Sequence, residues 1–381
     1  MSYNIGLLLP QSSTYASAKD FVWGFRQGLK HAPNFDFKFS IENTGYCSST
    51  ILEQQYIKLG LQYQPDIIVG ISHWRPIVEK ANLFTQYRIP TLFCEIGANL
   101  PLPEVLNENL YFNSLNLWQS AYGVGKYMAK KGYKKVMYLS HYYDGGYHTA
   151  YGFCKGLMDN GGDITIPFGI KDSFTQEELN RLGKLLLQEK PEALYCIYSN
   201  PRHYNLLEWI RKSSPMKDIP IYACPYWIDD DLLAKHPNKA TLGVYSANAW
   251  SRNFDNPINK KLVEKYEEEE EITCSVFVAM GYEVGLLLAE AYETLGDKWC
   301  NKRALRNFLK EVKLKGPRNG HHFNEQYHCS FGNHHLRQVQ QTENGLENVI
   351  LEELDVEGSL NAIEELYKTP SSGWDNPYLC V

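Results

Sequence analysis

Residues 66–101, DIIVGISHWRPIVEKANLFTQYRIPTLFCEIGANLP, decide the fold. Two short apolar runs, Asp66–Gly70 and Thr91–Phe93, bracket a helix-like stretch, and each run ends in a polar, aromatic or glycine-bearing loop. A run of this length bounded by loop residues reads as a strand buried on both faces, the kind found in parallel sheets. The same unit repeats outward on either side. Further strands are expected at Ile5–Leu9, Phe37–Ile41, Lys135–Ser140, Asp163–Pro167, Ala193–Tyr198, Pro220–Ala223 and Leu242–Ser246. Helices with an apolar stripe lie between them: Phe21, Phe25 and Leu29 recur at i, i+4 and i+8, and Leu182, Leu185 and Leu186 follow the acidic first turn Glu177–Glu178. Alternation of this kind predicts parallel sheets with helices on both faces.

At 381 residues the chain exceeds what one core usually supports. A break is expected near Asn107–Asn116, where NENLYFNSLN leads from the fourth strand into a helix over Leu117–Lys131, and the pattern restarts at Lys135. Two doubly wound halves joined near 115 are the simplest arrangement. After about 250 the character changes: Val276–Leu295 reads as one long buried helix, and the tail from Gly316 as paired strands, chiefly Phe331–Val339 and Asn348–Leu354.

The chain carries 38 basic and 44 acidic residues with no basic cluster, which argues against nucleic acid as a partner. No apolar run approaches the roughly 20 residues needed to span a bilayer, so direct membrane insertion is not expected. The start MSYNIGLLLP lacks a basic n-region and reads as a strand rather than a secretory signal. The expected location is the cytoplasm if the chain starts there, and the periplasm if a leader has been removed. Nine cysteines, an odd number, favour a reducing compartment, and no CxxC pair supports zinc or thioredoxin chemistry. The 27 tyrosines and 8 tryptophans exceed what core packing asks for and suit a wet binding cleft.

Ligands of open α/β sheets bind beyond the carboxyl ends of the strands. That rule selects Gly70-Ile-Ser72-His73-Trp74, where Ser72 is a fit N-cap that can hold a carboxylate or amide oxygen. It selects Glu95 and Gly97 after the next strand, with Glu95 able to accept from an ammonium or amide N–H. In the second half it selects the loop with Tyr143, Gly145, Gly146 and Tyr147, then Tyr198-Ser199-Asn200, then Pro225-Tyr226-Trp227. A helix N-cap without a ligand or a surface carboxylate explains any one of these as well; five such loops together point to a binding site. No GxGxxG, GxSxG, Walker or HExxH pattern occurs, so neither a cofactor nor a catalytic residue is expected. His321, His322, His328, His334 and His335 are dense enough to suggest a metal-dependent enzyme, but their spacing matches no zinc motif, and polar strand positions explain them better.

Four stretches carry a family resemblance: 5–29 (IGLLLPQSSTYASAKDFVWGFRQGL), 66–101, 109–128 (NLYFNSLNLWQSAYGVGKYM) and 134–157 (KKVMYLSHYYDGGYHTAYGFCKGL). With GPRNGHHFNEQYHCSFGNHHLRQVQ at 316–340, they resemble type I periplasmic binding proteins, specifically the branched-chain amino acid, amide and urea group of ABC-transporter substrate-binding proteins. The resemblance implies two doubly wound parallel-sheet lobes joined by a three-strand hinge, lobe 1 from 1–115 and 249–325 and lobe 2 from 116–248 and 326–381. It implies an amino acid, amide or urea-like ligand in the inter-lobe cleft and a membrane permease as partner, or, in the amide-sensing relatives, a regulatory protein. By position, Ser72 with its neighbours His73 and Trp74 would hold the ligand's carboxylate or carbonyl. Gly97 stands where the family usually has a threonine, Tyr143 and Tyr147 lie in a ligand-facing loop, and Ser199 lies near an aromatic clamp. Tyr226, beside Trp227, occupies the place where amino acid binders often carry an acid. A neutral amide fits that set at least as well as an α-amino acid.

Overall fold

The computed structural model describes residues 2–11, 17–34, 36–72, 74–101, 106–141, 144–145, 147–171, 175–198, 203–299 and 301–368. The chain forms two compact units: Met1–Leu115, Phe254–Glu270 and Cys274–Gly332 make unit 1, and Asn116–Asn253, Glu271–Thr273 and Asn333–Val381 make unit 2.

The first stretch runs β1 (Ser2–Leu9), α1 (Ser17–Leu29), β2 (Asp36–Asn43), α2 (Ser49–Lys58), β3 (Ile67–Ile71), α3 (Trp74–Glu79), α4 (Ala81–Tyr87), β4 (Thr91–Glu95) and β5 (Leu110–Ser114). The five strands form an all-parallel sheet in the order β2-β1-β3-β4-β5. Every residue of β3, β4 and β5 is buried, which is why β3 and β4 read as unbroken apolar runs. The first stretch of unit 1 ends at Leu115, within the break expected at 107–116, but the segment is more than a link. Leu110–Ser114 is the fifth strand, in parallel register with β4 from Thr91↔Leu110 to Glu95↔Ser114. Its signal is masked because Asn113 and Ser114 are polar yet buried, satisfied by Arg318 and Ser330 far along the chain.

The second stretch runs α5 (Leu117–Lys130), β6 (Lys135–His141), α6 (His148–Met158), β7 (Asp163–Ile164), β8 (Phe168–Ile170), α7 (Gln176–Glu189), β9 (Ala193–Ile197), α8 (His203–Ser213), β10 (Ile221–Ala223), α9 (Asp230–Lys235) and β11 (Tyr245–Asn248). The strand expected over Asp163–Pro167 is two short strands, β7 and β8, both pairing with β6. The strand expected at Leu242–Ser246 starts later, at Tyr245, because a 3-10 turn (Lys239–Thr241) and Gly243 at φ +78 occupy its first residues.

The third stretch returns to unit 1 with α10 (Pro257–Glu270), α11 (Val276–Leu295), α12 (Lys302–Glu311), β12 (Lys313–Leu314), β13 (His321–Phe323) and β14 (Ser330–Phe331). The chain ends in unit 2 with β15 (His335–Thr342), β16 (Gly345–Glu353) and α13 (Ser359–Lys368). β15 joins β11 antiparallel and forms a hairpin with β16, completing the order β16-β15-β11-β10-β9-β6-β7. The tail therefore includes the expected paired strands, but it also carries a helix, α13.

Much of the tyrosine excess is structural. Tyr138, Tyr195, Tyr222 and Tyr245 stand in register across β6, β9, β10 and β11, one ladder over one face of the sheet. Phe153 of α6 stacks on Tyr195 at 3.6 Å between ring centroids, and Tyr222 stacks on Tyr245 at 4.7 Å. Such rows bury large apolar area with little rotamer freedom to lose.

Each unit also contains one helix pair in backbone-to-backbone contact. In unit 1 a Cβ placed on Gly281 of α11 would sit 2.1 Å from the carbonyl oxygen of Phe21 in α1, and one on Gly24 would meet Val278 O at 2.1 Å. In unit 2 a Cβ on Gly156 of α6 would sit 2.1 Å from Tyr122 O in α5. Glycine is required at these positions for the close approach.

Candidate functional site

In unit 1 the carboxyl ends of the adjacent strands β3 and β4 place Ser72, Glu95 and Gly97. Ser72 follows β3 and is buried; its N–H donates to Cys94 O at 3.3 Å, so the β3–β4 ladder continues one residue past the strand. The helix α3 begins at Trp74, two residues after Ser72. Trp74 packs edge-on against Phe112 of β5, centroids 5.5 Å apart. His73 lies outside the described residues.

Glu95 ends β4 and is only 5% exposed. Its Oε2 accepts from Gly97 N–H at 2.7 Å, a turn that Gly97 makes at φ +79. Oε1 completes no well-formed hydrogen bond among the described residues, although the Ser114 side chain lies beside the carboxyl. Burial pushes the Glu95 carboxyl up to about 7, against the pull of Ser114 and the Gly97 N–H. At neutral pH this group is poised between donating and accepting a hydrogen bond.

A buried ion pair that local sequence patterns did not reveal holds this corner in place. Arg318 Nε donates to both carboxylate oxygens of Glu283 at 2.9 Å, Nη1 donates to Ser114 O at 2.7 Å, and Nη2 donates to Asn113 Oδ1 at 2.6 Å. Burial opposes the Glu283 charge, but Arg318 and His321 outweigh it and hold its pKa below the ordinary range. The guanidinium thereby fixes the end of β5, where Leu115 N–H in turn donates to Glu95 O at 3.2 Å. Arg318 lies in the GPRNG segment, but its partners are 35 and about 200 residues away.

In unit 2 the N–H groups of Asp144 and Gly145 turn back to His141 O after β6. Tyr147 is half-buried immediately before α6. Tyr143 and Ser199 lie outside the described residues. After β10 a 3-10 turn, Pro225–Trp227, leaves Tyr226 half-buried and Trp227 fully buried in the core beside Tyr198, centroids 5.8 Å apart. Tyr198 also meets His141 edge-on at 5.3 Å and donates from its hydroxyl to Lys171 O at 3.1 Å.

An acid does follow Tyr226, three residues later. Asp229 Oδ1 accepts from Arg337 Nη2 at 2.7 Å, and Arg337 also reaches Ser246 Oγ and Trp250 O. Burial raises the Asp229 pKa against Arg337, and burial pushes neighbouring Asp230 up to about 6 while its Oδ1 accepts from Asn348 N–H at 2.8 Å.

The histidines divide between the units. In unit 1, His321 lies with Nδ1 3.8 Å from Glu283 Oε1, and His328 stacks on Tyr111 at 4.9 Å. In unit 2, His334 contacts Ser120 Oγ at 2.7 Å and Gln119 Oε1 at 3.0 Å. Among the described residues no three His, Cys, Asp or Glu side chains come together as a metal would require. Nor is any described helix long and apolar enough to cross a membrane.

Comparison with known proteins agrees with this architecture. The family profile described as "Periplasmic binding protein" matches residues 2–345. No curated protein shows significant sequence similarity to the chain. Among solved structures, an ABC transporter substrate-binding protein from Sphaerobacter thermophilus superposes with a TM-score of 0.85 at 19% identity, over 93% of this chain and 98% of that one. A solute-binding protein of an ABC transporter from Rhodopseudomonas palustris BisB5, in complex with 3,4-dihydroxybenzoic acid, gives 0.78 at 19% identity over 93% and 98%. A leucine-binding protein from Thermotoga maritima gives 0.72 at 15% identity over 93% and 99%. With its profile match over most of its length and its paired parallel-sheet units, the chain belongs to the type I periplasmic binding proteins.

Proposed function

We propose that this chain captures a small polar ligand, an amino acid, amide or urea-like molecule, at the strand-end loops of its two units, and presents it to an ABC-type membrane permease. The role is binding rather than catalysis. The observation that carries the reading is the corner of unit 1 at Ser72, Glu95 and Gly97, polar and buried at the carboxyl ends of neighbouring parallel strands. A carboxyl group pushed up to about 7 can donate to a ligand carboxylate or carbonyl when protonated and accept from an amide N–H when ionised. Two structural relatives bind 3,4-dihydroxybenzoic acid and leucine, both carboxylates, which supports an oxygen-bearing ligand group at this corner. Asp229, three residues after Tyr226, supplies an acid near that position in the chain and keeps an amino acid ligand in view.

A thermal-shift panel of leucine, 3,4-dihydroxybenzoate, acetamide and urea tests the proposal. A ligand at about 100 times its Kd adds roughly 2.7 kcal/mol to the folded state, enough to raise Tm by several degrees. At least one member is expected to do so; a flat panel at millimolar concentration contradicts the reading.

A further inference from the structure

Unit 2 contains a cavity of about 270 Å³ that is separate from the corner just described. Tyr147, immediately before α6, and Tyr151, Cys154 and Met158 of α6 line it together with Tyr138 of β6 and Leu366 of α13. Among the described residues, no Asp, Glu, Lys or Arg contributes to its wall. Among the described lining residues His148 alone can carry a positive charge, and burial pushes its pKa down to about 4, so it is neutral at pH 7. Burial likewise pushes the Cys154 thiol up to about 11. The described wall is therefore uncharged at pH 7 and mixes aromatic with aliphatic side chains.

Its size and its polar groups narrow the occupant. Protein interiors rarely keep voids much larger than a water molecule, and an apolar cavity of about 150 Å³ already admits benzene. Tyr138 is almost fully buried; its hydroxyl and Ser140 Oγ are neighbours, yet neither completes a well-formed hydrogen bond among the described residues. A buried hydroxyl left in that state gains from a partner. An ionised ligand would meet no counter-charge and pay its desolvation unrelieved.

We propose that this cavity is a second binding site, for a neutral one- or two-ring aromatic molecule carrying a hydroxyl or carbonyl oxygen. The ring stacks among Tyr147, Tyr151 and Tyr138, and the oxygen completes the hydrogen bonding of the Tyr138 hydroxyl. The site stands on unit 2 alone and does not depend on the ligand proposed for the strand-end loops. Because Tyr147 both lines it and precedes α6, occupancy fixes one side of that loop.

Calorimetric titration of the full chain with 1-naphthol, and with 1-naphthoate as the charged counterpart, tests the site. Saturable one-to-one binding of 1-naphthol is expected, with 1-naphthoate at least tenfold weaker. Met158→Trp fills the cavity from a half-exposed position and should weaken 1-naphthol at least tenfold while leaving Tm within a few degrees. Ala150→Leu fills it from within and should do the same; if it fails to fold, Met158→Trp carries the test. Absent or non-saturable binding, equal affinity for 1-naphthoate, or full affinity in Met158→Trp overturns the proposal. So does competition between 1-naphthol and any panel ligand that stabilises the protein, since that would merge this cavity with the first site.

Discussion

The helix pair α1–α11 of unit 1 and the pair α5–α6 of unit 2 solve the same packing problem with the same device. In each, glycines let one backbone approach the other until a single added Cβ would collide with a carbonyl oxygen. They differ in how far apart along the chain their members lie. Residues 117–130 meet 148–158, whereas residues 17–29 meet 276–295. Unit 2 can therefore dock its pair locally, while unit 1 remains open on that side until the chain has passed through unit 2 and returned. Closing the longer loop costs more entropy before the contact repays it.

Putting the missing Cβ back is expected to have the largest effect on the two helix pairs. Gly281→Ala and Gly156→Ala each force two helix backbones apart, and each is expected to cost at least about 2–3 kcal/mol. Hydrogen exchange read by peptide should show Gly281→Ala deprotecting α1 and α11 with α5 and α6 intact, and Gly156→Ala the reverse. If both substitutions deprotect both units equally, the two pairs are not independent packing units.

A smaller effect sharpens the electrostatic side. Glu95 in unit 1 and Asp230 in unit 2 are both raised, chiefly by burial, to about 7 and about 6. For Glu95 the folded state holds its proton above the pH at which the unfolded chain releases it. Stability from this group is thus greatest below about 4.5 and is lost as pH rises toward about 7, by about 1–3 kcal/mol. Denaturation across that window should show unit 1 losing stability with rising pH, and Glu95→Gln should flatten that slope. An unchanged slope in Glu95→Gln would place the titration elsewhere.

What the sequence made legible follows from how locally each feature is encoded. β3, β4, β6 and β9 lie in parallel sheets buried on both faces, so their apolar runs mark them. α11 matches its expected span, Val276–Leu295, because it is apolar almost all round. β5 was hidden by Asn113 and Ser114, whose burial is licensed by Arg318 some 200 residues later. The strand-end rule reached Ser72, Glu95 and Gly97, since it needs only the position of each strand. It could not reach Arg318 or Arg337, because pairing with Glu283 or Asp229 is a fact of tertiary structure that no local spacing reports.

Ligand binding at the strand-end loops, as proposed, is tested by hydrogen exchange with and without the most stabilising member of the thermal-shift panel. The account predicts slowed exchange, tenfold or more, at 70–76 and 95–100 in unit 1 and at 224–229 in unit 2. Protection absent from these segments, or confined to 151–158 and 359–366 along the α6–α13 cavity, would contradict it.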